Sequence, residues 1–322
     1  MREIRVFSIP LRTRFRGVTL REGVLLQGPA GWGEFRPFLE YDAAVSALWL
    51  RAAVEAADEG WPAPLRDRVP VNVTVPAVGP DQAAAIVRRG GCRTAKVKVA
   101  ERGQALADDE ARLEAVRDAL GPEGLLRVDA NGGWTVDEAL VAVRRLERAA
   151  GGLEYVEQPC RTVEDLALLR RRVDVPIAAD ESIRRAEDPY RVRDLEAADV
   201  AVLKVQPLGG VRACLRIAED IGLPVVVSSA VETSIGIAAG LALAAALPEL
   251  HHACGLATVQ LLADDVVREP LLPVDGHLPV VRREVDPAKL TALAAAPDRQ
   301  RHWHARTDEA ARFGGVGQDR SS

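Results

Sequence analysis

The chain has 322 residues, a length that suits one barrel of ordinary size together with a smaller second domain. Hydrophobic residues make up 48% of the sequence and charged residues 28%, which is typical of a globular protein and argues against disorder. The formal net charge of −5 argues against a basic surface for nucleic acid or for an anionic membrane.

The apolar stretches of the sequence predict neither a membrane span nor a membrane partner. The longest of them, residues 235–247, is rich in alanine and holds two glycines, so it predicts a buried helix. Residues 1–16 lack the continuous apolar run of a signal peptide. The scattered cysteines predict reduced thiols in a cytoplasm rather than disulfides or a zinc site. These cysteines are Cys92, Cys160, Cys214 and Cys254.

Residues 1–69 predict a small α+β unit at the start of the chain. Residues 3–9 and 18–27 have the alternating pattern of strands, and residues 28–31 form a turn rich in glycine and proline. Residues 43–59 follow with helical spacing of their apolar side chains.

From about residue 71 the pattern changes to a regular alternation of strands and helices. The predicted strands cover residues 71–75, 94–99, 125–128, 153–156, 176–179, 200–203 and 224–227, with a last short strand near 252–255. The predicted helices cover residues 81–89, 106–120, 135–149, 163–172, 189–196, 211–221 and 234–247.

Such a series forms either an open sheet or a closed barrel, and two observations favour the barrel. Polar residues recur at the end of nearly every strand, and a barrel brings those ends to one face. No glycine-rich phosphate loop follows the first strand. We therefore predict an α/β fold, a (β/α)7β TIM-like barrel of residues 70–265 with an α+β capping domain. Residues of about 266–311 would complete the capping domain of residues 1–69, and residues 312–322 would form a disordered tail.

Lysine is rare in this sequence, and most of the lysines fall at predicted strand ends. Lysine and arginine total 42 residues, but the lysines are only Lys96, Lys98, Lys204 and Lys289. A GC-rich coding bias would explain the excess of arginine. It also makes each lysine informative, because a lysine can be tuned to release its proton and arginine cannot.

The polar residues at successive strand ends form one set. They are Lys96 with Lys98, Asp129 with Asn131, Glu157, Asp180, and Lys204. The first two lysines point the same way because strand side chains alternate, and two close ammonium groups lower each other's pKa. Three carboxylates at one mouth need a cation, and oxygen ligands favour Mg²⁺ or Mn²⁺ over zinc.

A site of this kind can remove a proton next to a carboxylate. The metal would bind the carboxylate oxygens and stabilise the enediolate that forms, and a lysine tuned to a pKa of roughly 7–8 would act as base. Lys204 lies on a strand nearly opposite Lys98. A Schiff-base aldolase that uses Lys204 and a non-catalytic binding protein are the other hypotheses, but the aldolase leaves the three carboxylates unexplained.

The motifs K-x-K, V-D-A-N, E-Q-P, A-D-E-S and K-V-Q-P-L-G-G, in this order, resemble the enolase superfamily and its muconate-lactonising subgroup. Gly33-Glu34-Phe35, Arg127 and the segment 228–234 are similar to the o-succinylbenzoate synthase family. That resemblance implies dehydration of 2-succinyl-6-hydroxy-2,4-cyclohexadiene-1-carboxylate to o-succinylbenzoate, a step in menaquinone biosynthesis. Racemases of N-succinylated amino acids share nearly the same residues and are the alternative.

The resemblance also implies roles for individual residues. Asp129, Glu157 and Asp180 would bind the metal, Lys98 would be the base, and Lys204 the lysine of the opposite face. Apart from these carried-over roles, we expect a small-molecule carboxylate to contact a further set, namely Lys96, Arg127, Asn131, Ser228, Ser229, Gly210, Arg14 and Arg16. The two arginines belong to residues 12–17, which we predict to be a mobile flap. Helix capping by the two serines and a tight turn at the glycine are the structural alternatives.

Overall fold

The computed structural model of the chain describes residues 3–15, 17–184 and 189–315. It contains a three-stranded antiparallel sheet, a seven-stranded parallel sheet and a two-stranded ribbon. We call the antiparallel sheet, with the helices that pack on it, the cap. We call the parallel sheet, with the helices that surround it, the barrel.

The cap begins with three strands that are neighbours in the order of the chain. They are β1 (Ile4–Phe15), β2 (Val18–Gly28) and β3 (Gly31–Phe35). Helix α1 (Ala43–Val54) starts at Asp42, whose side chain accepts a hydrogen bond from the amide of Val45 at 2.9 Å. This bond satisfies one of the free amides at the helix start. A π-helical turn, Glu55–Glu59, extends the helix.

A short strand, β4 (Arg68–Pro70), precedes seven parallel strands that form the barrel wall in chain order. They are β5 (Asn72–Val75), β6 (Thr94–Lys98), β7 (Leu125–Asp129), β8 (Tyr155–Glu157), β9 (Ile177–Ala179), β10 (Val200–Lys204) and β11 (Val225–Ser228). Parallel bridges join Cys254 to Val71 and Gly255 to Ser228. Residues 254–255 therefore close the ring as an eighth strand, and the predicted (β/α)7β fold is confirmed.

Helices follow the barrel strands. They are α2 (Pro80–Gly90), α3 (Leu106–Leu120), α4 (Val136–Ala150), α5 (Val163–Arg170), α6 (Glu181–Arg184), α7 (Arg191–Asp194), α8 (Val205–Leu208), α9 (Val211–Ile221) and α10 (Ser234–Ala246). Thr135 caps α4, since its Oγ1 accepts from the amide of Glu138 and its own backbone amide donates to the Glu138 carboxylate. The helix predicted over residues 189–196 is wrong in length. It shortens to α7, because Glu196 adopts a φ of 49° that a helix does not allow.

After the eighth strand the chain returns to the cap. A 3₁₀ turn, Ala257–Leu261, leads to β12 (His277–Pro279), which pairs antiparallel with β4. Helix α11 (Pro287–Ala292) and the long α12 (Pro297–Gly314) follow.

Helix α12 packs on the cap through aromatic side chains. The ring of Trp303 meets Phe35 edge to face at a centroid distance of 6.1 Å, and both residues are buried with Trp49 of α1. The helix continues to Gly314, so residues 312–314 of the predicted tail are helical. Residues 316–322 lie outside the described residues.

Within the described ranges, no helix has the length and apolar character needed to cross a membrane. All four cysteines are buried free thiols, as predicted.

Candidate active site

The carboxyl ends of neighbouring barrel strands bring the predicted lysines and carboxylates together. In the parallel register Lys98 of β6 lies beside Asp129 of β7, and Asp129 lies beside Glu157 of β8. Asp180 directly follows β9, and Lys204 ends β10. All five side chains are buried. Because parallel strands in register end at one level, these groups form a ring at the barrel mouth.

Lys96 and Lys98 face the carboxylates of the next two strands. Lys96 Nζ lies 2.7 Å from each carboxylate oxygen of Glu157 and 3.2 Å from Asp129 Oδ2. Lys98 Nζ donates to Asp129 and, at 2.7 Å, to Asn131 Oδ1. Both ammonium groups therefore point into the barrel, as the alternation of strand side chains requires.

Lys204 approaches the same ring from the other side. Its strand β10 is separated from β6 by β7, β8 and β9. Lys204 Nζ donates to Asp180 Oδ2 at 2.6 Å, and Arg184 Nε donates to Asp180 Oδ1 at 2.8 Å. Each oxygen of Asp180 therefore has a cationic partner.

The three carboxylates differ in how well their charge is balanced. Burial raises the pKa of Glu157 to about 7, and the neighbouring Asp129 adds to the rise although Lys96 opposes it. Burial also acts on Asp129 and Asp180, but their cationic partners outweigh it and hold both pKa values below the usual range. Glu157 is therefore the carboxylate whose charge is least compensated.

The pKa of Lys96 shifts in the direction opposite to the one expected for a lysine pair. Burial lowers the pKa of Lys96, but the attraction of Glu157 and Asp129 outweighs burial and raises it. The predicted lowering is therefore wrong for this lysine, because carboxylates and not the second ammonium group are its nearest partners.

Asp129, Glu157 and Asp180 fit a hard divalent cation by their chemistry, since they offer only oxygen atoms from three consecutive strands. Across the described parts of the chain, no three His, Cys, Asp or Glu side chains form a ready metal cluster. Each of these carboxylates instead faces an ammonium or guanidinium group. The poorly compensated charge of Glu157 favours a further cation here.

The cavity at the barrel mouth is small, with a volume of about 20 Å³, close to the space of one water molecule. Its walls come from both cap and barrel: Phe15, Phe38, Thr74, Lys96, Lys98, Asp129, Lys204, Ser228, Ser229, Ala230, Val231 and Thr258. A groove of about 570 Å³ lies on the cap. Its charged residues Glu3 and Arg5 are exposed, so it lacks the buried charges of the barrel mouth. A substrate can therefore enter the barrel site only when lining groups move.

The cap contributes aromatic side chains that were not predicted. Lys98 Nζ lies 5.4 Å from the ring centre of Phe15, at the end of β1, and Phe38 follows β3. The predicted flap therefore reaches the mouth through Phe15, whereas the neighbouring Arg14 is exposed and is not part of the cavity wall. Arg16 lies outside the described residues.

Ser228 and Ser229 both lie in the cavity wall, where substrate contact was expected. Ser229 Oγ donates to the carbonyl of Gly255 at 2.8 Å and lies 2.7 Å from Thr258 Oγ1. Neither serine caps helix α10, because Thr233 does so by accepting from the amide of Ile235. Thr258 and Thr74 are further wall residues for which the sequence carries no signal.

Gly210 lies outside the cavity wall, so the structure does not bring it to the predicted substrate contact. Glu55 of the cap accepts hydrogen bonds from the amides of Val211 at 2.6 Å and Arg212 at 3.1 Å. A side chain at Gly210 would meet Glu55 at 2.2 Å. The positive start of helix α9 is therefore occupied by a carboxylate of the cap, not by a substrate anion.

Glu34 makes the corresponding contact with helix α10. Its carboxylate accepts from the amides of Thr233 at 3.2 Å and Gly236 at 3.1 Å, and it also accepts from the hydroxyl of Thr233. Burial raises the pKa of Glu34 to about 7, against the opposing charge of Arg36. Cap carboxylates thus complete the starts of two barrel helices.

Arg127 is buried inside the barrel below Asp129, outside the lining of the cavity. Its guanidinium donates to Glu154 Oε2 at 2.6 Å, to Asn72 Oδ1 at 3.2 Å and to the carbonyl of Ala253 at 2.7 Å. The structure therefore does not bring Arg127 to the predicted substrate contact, because all these partners lie at the floor of the barrel. Of the other predicted contact residues, Asn131 does reach the site through Lys98.

Two protein families match separate parts of the chain. The family described as Enolase C-terminal domain-like matches residues 80–284, more than half of the sequence. This chain belongs to the enolase superfamily. The family described as Enolase N-terminal domain-like matches residues 6–57, in the cap.

Relatives within the enolase superfamily cover almost the whole chain. The o-succinylbenzoate synthase of Thermobifida fusca is 67% identical over 302 residues, which are 94% of this chain and 94% of the relative. The o-succinylbenzoate synthase of Mycolicibacterium smegmatis is 58% identical over 304 residues, which are 94% and 93% of the two chains. The predicted resemblance to this family is confirmed.

Solved structures of the superfamily share the architecture. The L-Ala-D/L-Glu epimerase of Bacillus subtilis is 26% identical, with a TM-score of 0.72 over 88% of this chain and 97% of its own. The muconate lactonizing enzyme of Pseudomonas fluorescens superposes with a TM-score of 0.79 over 92% and 98% of the two chains. At 24% identity the latter match supports the fold alone.

Proposed function

We propose that this chain dehydrates 2-succinyl-6-hydroxy-2,4-cyclohexadiene-1-carboxylate to o-succinylbenzoate in menaquinone biosynthesis, with Mg²⁺ or Mn²⁺ as cofactor. The observation that carries the proposal is the 67% identity to the synthase of Thermobifida fusca over 94% of both chains. The ring of lysines and carboxylates at the barrel mouth is suited to removing a proton next to a carboxylate.

Lys98 is the base in this proposal. It takes the proton from the ring carbon that bears the carboxylate, and the C–H electrons pass into that carboxylate to give an enediolate. The same Nζ then returns the proton to the leaving hydroxyl group, the C–O bond breaks and water leaves an aromatic ring. Asp129 and Asn131 hold Lys98 at the mouth beside Phe15, which helps to exclude water.

Lys204 stays protonated on the opposite side of the ring. Its Nζ lies 2.6 Å from Asp180 Oδ2, a position from which an ammonium group can stabilise the negative charge that develops on the substrate. The two lysines thus divide the work between proton transfer and electrostatic stabilisation.

Asp129, Glu157 and Asp180 would hold the divalent ion. When bound, the ion would neutralise the charge that builds up on the substrate carboxylate. Lys96 keeps Glu157 in place by contacting both of its oxygens at 2.7 Å. Ser228 and Ser229 line the wall next to the lysines and can contact the substrate.

The proposal includes the division of the chain. Residues 1–69 and about 266–311 would form the capping domain and residues 70–265 the barrel, so that Phe15 and Phe38 close the cavity over the lysines. We place the enzyme in the cytoplasm, which is supported by four buried thiols without a disulfide.

The test is turnover of the cyclohexadiene substrate with Mg²⁺, with EDTA, and with Mg²⁺ restored after EDTA. We expect activity with the metal, loss with EDTA and recovery on restoration. In Glu157→Gln, metal affinity and activity should fall together by roughly 10- to 100-fold or more, since a ligand charge is lost. The control is Glu249→Gln, because that side chain is 77% exposed. Full wild-type activity in EDTA would overturn the metal dependence.

An N-succinylamino acid racemase is the second candidate, because Lys98 and Lys204 face the ring from opposite sides. Racemisation needs both lysines to exchange protons, so exchange of the α-proton with deuterium oxide would identify it.

Trapping of Lys204 by borohydride with a carbonyl substrate would support a Schiff-base aldolase instead.

A further inference from the structure

A chain of side-chain hydrogen bonds runs along the barrel mouth from Lys98 to Lys204. Its links are Lys98 Nζ to Asn131 Oδ1 at 2.7 Å, Asn131 Nδ2 to Glu181 Oε1 at 3.2 Å, Arg184 Nη2 to Glu181 Oε1 at 2.5 Å, Arg184 Nε to Asp180 Oδ1 at 2.8 Å, and Lys204 Nζ to Asp180 Oδ2 at 2.6 Å. Two of its members, Glu181 and Arg184, have no part in the proposed reaction.

One helical turn supplies the middle links of this series of hydrogen bonds. Helix α6 starts directly after Asp180, and the amides of Ile183 and Arg184 donate to the carbonyl of Asp180 at 3.0 Å. Arg184 is therefore three residues from Glu181 and four from Asp180, the spacings that place side chains on one helix face. The turn presents a cation between two carboxylates at the mouth.

Asn131 connects this turn to the first lysine. Its φ of 47° lies in the left-handed region, where asparagine is tolerated better than most residues. In this conformation its backbone amide donates to Asp129 Oδ1 at 3.0 Å, while its side chain forms hydrogen bonds with both Lys98 and Glu181. Asn131 thus links Lys98 to Glu181 and helps to fix the position of the Lys98 ammonium group.

Arg184 is suited to this role because its side chain is only 2% exposed and forms bonds in several directions. Nε reaches Asp180, Nη2 reaches Glu181 and Nη1 reaches the hydroxyl of Tyr41 at 3.2 Å. A planar guanidinium can hold these acceptors at the same time, whereas a lysine ammonium cannot match the geometry. Tyr41 belongs to the cap, so the turn also joins the cap to the mouth.

We propose that Glu181 and Arg184 are positioning residues that aim the two lysines into the cavity. Arg184 fixes Asp180 so that its second oxygen faces Lys204, and Glu181 fixes Asn131 so that its carbonyl faces Lys98. The inference deepens the proposed function, on which its kinetic part rests, but the arrangement of the lysines can be measured without the reaction.

The first experiment is chemical labelling of the metal-free, substrate-free enzyme with an amine-acylating reagent, read for each lysine by peptide mass spectrometry. The chain has only four lysines, and Lys289, with a 37% exposed side chain, is the internal reference. In Arg184→Met, Asp180 loses the guanidinium that holds its second oxygen towards Lys204. Lys204 should therefore label faster by roughly threefold or more. In Glu181→Gln the same should hold for Lys98.

The second experiment is steady-state kinetics of the same variants with the cyclohexadiene substrate and Mg²⁺. We expect kcat to fall by roughly 10- to 100-fold with little change in KM, because a positioning residue orients the lysines and does not contact the substrate. Arg184→Lys should not restore kcat. The matched control is Arg170→Met, since Arg170 pairs with Asp199 away from the cavity wall.

The outcomes separate this inference from the proposed function. If the wild type does not turn over the cyclohexadiene, the proposed function fails, and the labelling alone decides the inference. Unchanged or slower labelling of Lys98 and Lys204, or equal acceleration of Lys96, overturns the positioning role. Wild-type turnover with unchanged kcat in both variants also overturns it. Thermal unfolding of each variant confirms that the compared proteins are folded.

Discussion

The two ends of the barrel both contain buried charges, but the charges are of different kinds. At the mouth, Lys98 and Lys204 meet carboxylates through single ammonium groups. At the floor, Arg127 binds Glu154 and the carbonyl of Ala253, and its guanidinium lies 4.6 Å from the ring centre of Tyr155. Arg127 and Asp129 are two residues apart on one strand, so both point into the barrel at different depths.

The lysines at the mouth are suited to catalysis, whereas the arginine at the floor is suited to holding the barrel closed. A lysine can lose its proton and change partners, whereas arginine keeps its charge and its fixed donors. Ala253 adjoins the residues that close the ring as the eighth strand, so Arg127 ties β7 to the closing segment. We therefore expect changes at the mouth to alter activity, and changes at the floor to alter the free energy of unfolding.

The largest expected effect is at the mouth, in Lys98→Arg. Arginine keeps the positive charge beside Asp129 but cannot exchange a proton, so kcat should fall by roughly 10²- to 10⁴-fold. The melting temperature should change little. Lys204→Arg is the comparison, and it should retain measurable dehydration because its role is electrostatic. Near-normal dehydration by Lys98→Arg would place the base on another strand.

The next effect is at the floor, in Arg127→Met. Breaking a buried pair with Glu154 should lower the free energy of unfolding by about 3–5 kcal/mol, measured by denaturant titration. KM should stay unchanged in the folded enzyme, because the side chain does not reach the cavity. Arg145→Met is the control, since its pair with Glu110 is partly exposed and should contribute under about 1 kcal/mol. A raised KM with unchanged stability would return Arg127 to the substrate site.

A smaller effect depends on pH. Burial opposes ionisation of Glu154, but hydrogen bonds from His252 and Arg127 lower its pKa to about 2 from an ordinary value of 4.5. A lowered pKa stabilises the fold above pH 4.5, and this contribution is lost as the pH falls towards 2. The free energy of unfolding of the wild type should therefore exceed that of Glu154→Gln by up to about 3 kcal/mol at neutral pH. The difference should shrink between pH 4.5 and 2, and a constant difference would contradict the assignment.

The smallest effect is expected for Arg14→Ala, at the cap hairpin. Arg14 is exposed and outside the cavity wall, so KM should rise by no more than about threefold, while kcat stays the same. Phe15→Ala is the matched neighbour and should change both constants, because its ring covers Lys98. An equal response of the two variants would mean that the hairpin acts as a unit.

The strand ends of the barrel were the most predictable part of the molecule. Alternation along a strand and the parallel register leave little choice for Lys98, Asp129 and Glu157, which are direct neighbours in adjacent strands. The same alternation places Arg127 on the face of Asp129 but one layer deeper, a signal in the sequence that argues against substrate contact.

The contacts between cap and barrel were not predictable in the same way. Glu55 and Gly210 are far apart in the chain, and no local pattern indicates that the carboxylate would cover the helix start. Phe15 reached the cavity because of the hairpin geometry, although the arginines beside it suggested an anion-binding flap. Such contacts depend on how two separately patterned units dock, and that information is not local.

The carboxylates of Glu34 and Glu55 also limit how the protein can be recombined. The barrel helices that begin at Val211 and Ser234 obtain partners for their first amides from the cap. A chimera that exchanges the first 69 residues with a relative must bring a carboxylate to both places, or bury amides without acceptors at each helix start. Substitutions at these two glutamates should therefore be inherited together with changes in the helix starts that they complete.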